Sequence, residues 1–399
     1  MPAPADIDST LRALGLSDAR PAFQDGWADS QRSFRAGNVA FLQPGFVDQC
    51  SAWLGMAGDA REALLNALPL YARNAALQRL AWHCHATLFQ LADDPIVRAH
   101  QWPLLPGDLG EGAALFYAFV ALSGLPHVQR LHHARSIPET VTRDTLSDIE
   151  LWMRDHRQKH GAWGFIARGW ISLHLTGKLY KLGRLQFAFD TFRFEVRAFR
   201  NRTTRRVVVL GQPREENRAF TGKIVPPDGS EPVERGVLAA NDWEPVLAPG
   251  DPTLGVHIAA SGPMDHAACG ESFRHAVEFF PRHFPEQPYR AFTCWSWLMD
   301  ANLEQCLAPE SNIVRFLREW YLHPVPDAND NQLFERVFGG RFDNIDEAPR
   351  DTALRHAIVA HIKSGGSFRS GAGVLFPEDL DWGAQVYRRS WTHAPKTSL

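Results

Sequence analysis

Three groups of residues in the C-terminal half of the sequence have types and spacings suited to chemistry. His257, in the run Val256-His257-Ile258, places an imidazole within an apolar strand, and imidazole exchanges protons near neutrality. Cys294 and Ser296 stand two apart in a Cys-Trp-Ser-Trp strand. They share one side-chain phase, with Trp295 and Trp297 on the other. A thiol or hydroxyl so placed can protonate a leaving group, and Cys294, given His257 as its base, can act as a nucleophile. The third group is the small-residue loop from Ser261 and Gly262 to Gly270, followed by Glu271 and Ser272. Backbone N–H groups at a helix start, with the helix dipole behind them, hold phosphate without a particular side chain, although Glu271 would repel it.

Positioning these groups requires an alternation of strands and helices, and the pattern from Gly183 onward provides one. Leu185, Phe187 and Phe189 form one side of a strand, and the alternation resumes at Phe192, Phe194, Val196 and Ala198 after a break expected at Asp190 and Thr191. Arg206 to Leu210 completes an antiparallel hairpin, and residues 211–253, rich in proline, glycine and charge, read as loops with one minor strand. Leu254 to Ala259 is a strand, Phe273, Ala276, Val277 and Phe280 mark one helix face, and Tyr289 to Leu298 is another strand. Ser311 caps a helix through Ile313, Phe316 and Leu317, with Asn312 beside it, and Gln332 to Phe338 reads as a late strand. The tract holding Gly365, Gly366, Gly371 and Gly373 lacks the spacing of a nucleotide loop and reads as a mobile surface loop. The tail after Trp391 reads as disordered.

The first 160 residues have a helical texture. Phe46 to Met56 and Asp59 to Leu91 carry apolar residues at helical spacing, the latter bent near Pro69, and Ala113 to Leu122 is the most apolar stretch. One helix is expected after Pro138, with Leu146, Ile149 and Met153 on one face, and another from Trp163 to Leu179. His83, Cys84 and His85 look metal-like, but neighbours two apart on a helix point in different directions. We expect no metal site there.

A chain of 399 residues suggests two cores. With 42 basic against 45 acidic side chains there is no global field to draw nucleic acid or an anionic membrane. Five scattered cysteines fit reduced thiols, and neither a leader nor a membrane-spanning run is evident, so a soluble cytoplasmic protein is expected.

The succession Gly183-Arg184-Leu185-Gln186-Phe187, His257-Ile258, Phe279-Phe280, Cys294 with Ser296-Trp297-Leu298, and Ser311-Asn312-Ile313 with Phe316 resembles the GNAT fold. More closely, it resembles bacterial acyltransferases that join a helical N-acyltransferase N-terminal domain to a GNAT-like C-terminal domain. The resemblance implies an α+β chain: an all-helical domain over 1–162, then a GNAT-like α/β domain over 163–399 with a mixed, mostly antiparallel sheet. It implies transfer of an acyl group from acyl-CoA, the co-substrate, to a small acceptor such as an amine by general acid/base catalysis. His257, Cys294 and Ser296 would then be catalytic, and Ser261, Gly262, Gly270, Ser272 and Asn312 would contact the coenzyme. The chain lacks the Arg/Gln-x-x-Gly-x-Gly/Ala run that most GNAT enzymes carry between the central strand and its helix. A catalytically silent acyl-CoA-binding or protein-interaction module is therefore the alternative; a Cys- or Ser-dependent hydrolase has no Gly-x-Ser-x-Gly elbow to support it.

Overall fold

The computed structural model of the chain describes residues 6–91, 93–231 and 234–392; the tail from 393 onward lies outside them. The chain forms two compact units, Met1–Leu182 and Gly183–Leu399. The division falls later than the expected one after residue 162, because Gly161 ends a helix and not a unit. It caps Asp148–His160 in the left-handed region at φ 71°, where glycine carries no Cβ penalty. The next helix, Arg168–Leu175, then packs on Pro95–Gln101 and Phe116–Ser123 of the first unit.

The first unit is helical up to a short strand, Leu179–Leu182 (β1). Every residue of Phe116–Ser123 is buried, as its apolar character requires. Pro69 lies inside the helix Gly58–Arg73, and the chain turns instead at Asn74. The Asn74 side-chain oxygen accepts from the backbone N–H groups of Ala76 and Leu77 at 3.0 and 3.1 Å and starts the helix Ala75–Ala86. Two helices, Glu139–Leu146 and Asp148–His160, stand where one was expected. His83 and His85 bond separate hydroxyls, Ser30 Oγ at 3.0 Å and Ser123 Oγ at 2.8 Å. Among the described residues no cluster could hold a metal ion.

Among its described residues the second unit contains ten strands: Leu185–Thr191 (β2), Val196–Asn201 (β3), Val207–Glu216 (β4), Ala219–Val225 (β5), Arg235–Ala239 (β6), Trp243–Leu247 (β7), Pro252–His257 (β8), Ala291–Ser296 (β9), Tyr321–His323 (β10) and Gly371–Leu375 (β11). One sheet runs β2-β8-β9-β11-β10 and the other β6-β5-β4-β3-β7. β8 and β9 are parallel, whereas β2 with β8, β9 with β11 and β10 with β11 are antiparallel. The sheets are tied by Tyr321, whose hydroxyl donates to Val225 O at 2.6 Å and accepts from Val209 N at 3.2 Å. Arg200 of β3 is 1% exposed and meets Asp379 through two bonds of 2.6 and 2.8 Å.

Four expectations for this unit are corrected. β2 continues through Asp190 and Thr191, which pair with Thr253 and Pro252; the break comes after Thr191, where the chain leaves one sheet for the other. Residues 211–253 complete a second sheet, because prolines and charges are tolerated at its edges and wet face. Gln332–Phe338 is helical, consistent with the equally helical spacing of Leu333, Phe334, Val337 and Phe338. The glycine tract ends in the buried strand β11: a Cβ on Gly371 would lie 2.1 Å from Met299 O, so only glycine fits.

Burial pushes the imidazoles of His83, His85 and His132 in the first unit, and His323 in the second, down to about 4. In the unfolded chain they titrate at about 6.5, so below that pH the unfolded state binds more protons and stability falls as pH drops toward 4. The slope reaches at most about 1.4 kcal/mol per pH unit for each histidine. Urea midpoints measured at pH 7.5 and pH 5 should show the lower value at pH 5, with the first unit losing more; equal midpoints would refute this account.

Candidate active site

The parallel strands β8 and β9 part within the sheet. Their register covers Thr253↔Ala291, Leu254↔Phe292 and Gly255↔Thr293, yet β8 runs on to His257 and β9 to Ser296. On its far side β9 stays paired with β11 as far as Ser296↔Gly371. Beyond Gly255 and Thr293 the two strands therefore make no ladder bonds to one another. The gap between them is bordered by His257 on one strand and by Cys294, Trp295 and Ser296 on the other.

Alternation along these strands decides which candidate side chains can meet. Phe187 of β2 and Phe292 of β9 touch Phe273 on the helix His266–His283, with ring centroids 5.6 and 5.1 Å apart. Cys294 and Ser296 share the phase of Phe292, so they face this helix side. His257 has the opposite phase to Val256, the partner of Phe187, and lies on the other face with Asp190, Thr253, Thr293 and Trp295. The imidazole of His257 is thus not placed to deprotonate Cys294. Cys294 is 2% exposed and burial pushes its thiol up to about 12. Ser296 accepts from Leu298 N at 3.2 Å and serves a local turn.

A further group on the His257 face escaped the sequence reading. A Cβ built on Gly255 would lie 3.4 Å from Asp190 Oδ2 and 3.6 Å from His257 Nε2. A carboxylate and an imidazole thus lean over the same glycine. The signal available in sequence was weak, since Asp190 looked like a strand breaker. Trp295, on the same face, is 51% exposed, a large apolar ring at the opening between the strands.

The loop after β8 is organised by Arg184. Its guanidinium donates to Ala259 O, Gly262 O and Pro263 O, each at 2.9 Å. Three carbonyls are drawn onto one half-buried cation, and Ser261 and Gly262 lie exposed around it. The helix begins at His266, capped by Asp265 Oδ1 accepting from Ala268 N at 2.8 Å. Gly270 and Ser272 are consequently inside the helix and not at its start. Gly270 lies against Trp382, and Ser272 Oγ accepts from Arg184 N at 2.9 Å and Leu185 N at 3.3 Å. Ser272 thereby fastens Arg184 and the start of β2 to the helix. His266 is buried between Glu319 Oε1 at 3.2 Å and Arg315 Nη2 at 3.1 Å; because the guanidinium can only donate, Nδ1 accepts and Nε2–H donates to the carboxylate. Asn312 is the first residue of the helix Asn312–Arg318, behind the Ser311 cap.

A separate polar cavity of about 350 Å³ lies beside β10 and β11. Its charged groups already serve the fold: Arg369 pairs with Glu231, Arg388 with Glu304, and buried Asp300 accepts from Arg369 N and Asn302 N.

The opposite-face arrangement makes a direct test of Cys294. Loss of an acyl-accepting nucleophile costs roughly 10⁴-fold or more in turnover, whereas Cys294→Ala should reduce thiol release from acyl-CoA by less than about tenfold, through packing alone. Native protein at pH 8 should also resist iodoacetamide at Cys294 when peptides are mapped by mass spectrometry. Rapid labelling together with an inactive alanine variant would reverse this assignment.

The chain matches the family model of an N-acyltransferase N-terminal domain over residues 46–177 and that of a GNAT-like C-terminal domain over residues 179–375. No curated protein matches it. Among solved structures it is similar to an acyltransferase in complex with decanoyl-CoA and teicoplanin, at 27% identity and a TM-score of 0.71. It is similar also to an acyltransferase mutant in complex with octanoyl-CoA, at 26% and 0.70, and to an acyltransferase in complex with CoA and 10C-teicoplanin, at 26% and 0.69. Each likeness covers 93% of this chain and 99% of the other. With both models matched in order over residues 46–375, the chain belongs to the acyltransferases that join an N-acyltransferase N-terminal domain to a GNAT-like C-terminal domain.

Proposed function

We propose that this protein transfers a medium-length acyl group from acyl-CoA to an amine, with His257 as the general base. The observation that carries this reading is the parting of β8 and β9 beside His257 in a chain that aligns over 93% of its length with acyltransferases holding octanoyl- and decanoyl-CoA. Parted parallel strands expose main-chain donors and acceptors, and an extended ligand bearing amides, such as the pantetheine arm of coenzyme A, can bond to them as an added strand does. The loop from Ser261 to Asp265 lies at the C-terminal end of β8. Arg184 takes up loop carbonyls there and adds a positive charge, which supports phosphate binding in place of the missing glycine-rich run.

In this arrangement the amine nitrogen attacks the thioester carbonyl carbon, a C–N bond forms and the C–S bond breaks. His257 accepts one proton from the amine nitrogen, a second nitrogen proton passes to the departing sulfur, and the coenzyme leaves as its thiol. Backbone N–H groups at the strand gap would stabilise the oxyanion, since fixed dipoles act there without reorganisation. The exposed ring of Trp295 offers apolar surface to the acyl chain. The acceptor class to test first is the amine of a large polar natural product, because two of the similar acyltransferases hold teicoplanin or its 10C form. Five cysteines without a disulfide support a cytoplasmic setting, and among the described residues no helix is long and apolar enough to cross a membrane.

Octanoyl- and decanoyl-CoA should raise the melting temperature more than acetyl-CoA, by mass action on the folded state. His257→Ala should keep that shift while slowing amine-dependent thiol release by about 10²–10⁴-fold, and Arg184→Ala should weaken the shift itself. A saturable shift with no thiol release from any amine would identify a silent acyl-CoA-binding module, and no shift at all would remove the coenzyme from the reading.

A further inference from the structure

We propose that Asp190 and His257 form the two sides of a seat for the acceptor's ammonium group, with Gly255 kept free of a side chain so that one nitrogen can reach both. The proposal rests on the transferase reading above and specifies its acceptor as a cationic primary amine. The distances from the Gly255 Cβ position, 3.4 Å to Asp190 Oδ2 and 3.6 Å to His257 Nε2, limit the separation of the two atoms to their sum. A single nitrogen about 3.2 Å from each atom bridges a separation of up to about 6.4 Å, which covers all but the widest part of that range. The strand register produces this convergence: Asp190 pairs with Thr253, two residues before Gly255, and His257 stands two residues after it on the same face.

The carboxylate can take such a guest. Asp190 already accepts from Arg193 Nη2 at 2.6 and 2.8 Å, but Arg193 is 62% exposed. An ion pair of that exposure is worth at most about 1 kcal/mol, and Oδ2, the oxygen nearer Gly255, keeps a second lone pair because Thr191 N donates to Oδ1 instead. An ammonium can therefore share Asp190 with Arg193 or displace it. Most alkylamines reach the protein protonated, so an acceptor must be held as a cation and then lose a proton before it has a lone pair to use. Asp190 supplies the holding charge and His257 the proton acceptor. The balance is complete: one proton of R–NH₃⁺ passes to His257 and from it to water, the freed lone pair forms the C–N bond, and the second proton leaves nitrogen as the C–S bond breaks and ends on the coenzyme's sulfur. Alcohols and carboxylates lack the charge this seat selects.

Glycine at 255 makes an unusually direct test possible. Its Cβ contacts, at 3.4 Å and beyond, are ordinary van der Waals distances and its φ is not in the left-handed region, so Gly255→Ala should fold normally. The added methyl would stand between Asp190 and His257 while leaving both groups in place. Steady-state kinetics with decanoyl-CoA and a panel of ethanolamine, glucosamine and teicoplanin should show the KM for the amine raised about tenfold or more in Gly255→Ala and in Asp190→Asn, the loss expected for one charge-assisted hydrogen bond. The kcat of Asp190→Asn should stay near wild type, Asp190→Glu should recover part of the loss, and the melting shift with decanoyl-CoA should be unchanged in each variant. An unchanged amine KM in both variants overturns the seat, as does loss of the decanoyl-CoA shift together with the kinetics, which would place these groups on the coenzyme. Wild-type protein that releases no thiol with any amine overturns the transferase reading itself and is distinguishable from either outcome.

Discussion

The parallel pairing of β8 with β9 is the constraint on which the rest of the second unit depends. Parallel neighbours cannot be joined by a tight turn, and the connection used here is the 18-residue helix His266–His283. That helix must cover one face of the sheet, and it does so with Phe273 and Phe280 against Phe187, Phe189 and Phe292. Burying each such ring stabilises the fold by about 1.5–3 kcal/mol, enough in sum to hold the strand phase against a one-residue slip. Once the apolar phase is committed to the helix, Asp190, Thr253, His257 and Thr293 are committed to the other face. The chemistry of the site is the complement of the packing.

Parting of the same two strands creates the opening of the candidate site, and the surroundings hold the two strands in place. β9 is held from its far side by β11, where Gly371 permits an approach to Met299 O that any Cβ would forbid and Gly373 lies close to Met299 Cε and Trp320. β8 runs into a loop gathered around the Arg184 guanidinium, whose own backbone N–H rests on Ser272 of the crossover helix. Strand, loop and helix are thus fastened to one another at a single buried hydroxyl and a single half-buried cation. In the proposed function this arrangement stands in for a glycine-rich motif: the loop carbonyls are satisfied by Arg184, which also supplies a positive charge for the phosphate.

Much of this was legible in the order of residues. Alternation of apolar side chains determined β2, β8 and β9 and the face each residue presents, the 3.6-residue spacing of Phe273, Ala276, Val277 and Phe280 determined the crossover helix, and the unbroken apolar run to Ser123 determined the heart of the helical unit. These signals are local, set by neighbours two to four positions away, and they sufficed for the family resemblance. What the tertiary structure alone decided is which distant residues meet. Whether Cys294 could use His257 depends on strand phase across a parallel pair, and the structure separates them to opposite faces. Asp190 joined the candidate site only when antiparallel register brought β2 alongside Gly255, and the end of the glycine tract read as a surface loop, Gly371 and Gly373, proved to lie in a buried strand because of contacts with Met299, 72 positions before Gly371. Sequence periodicity fixes the direction a side chain points; only the packing of distant segments fixes what it points at.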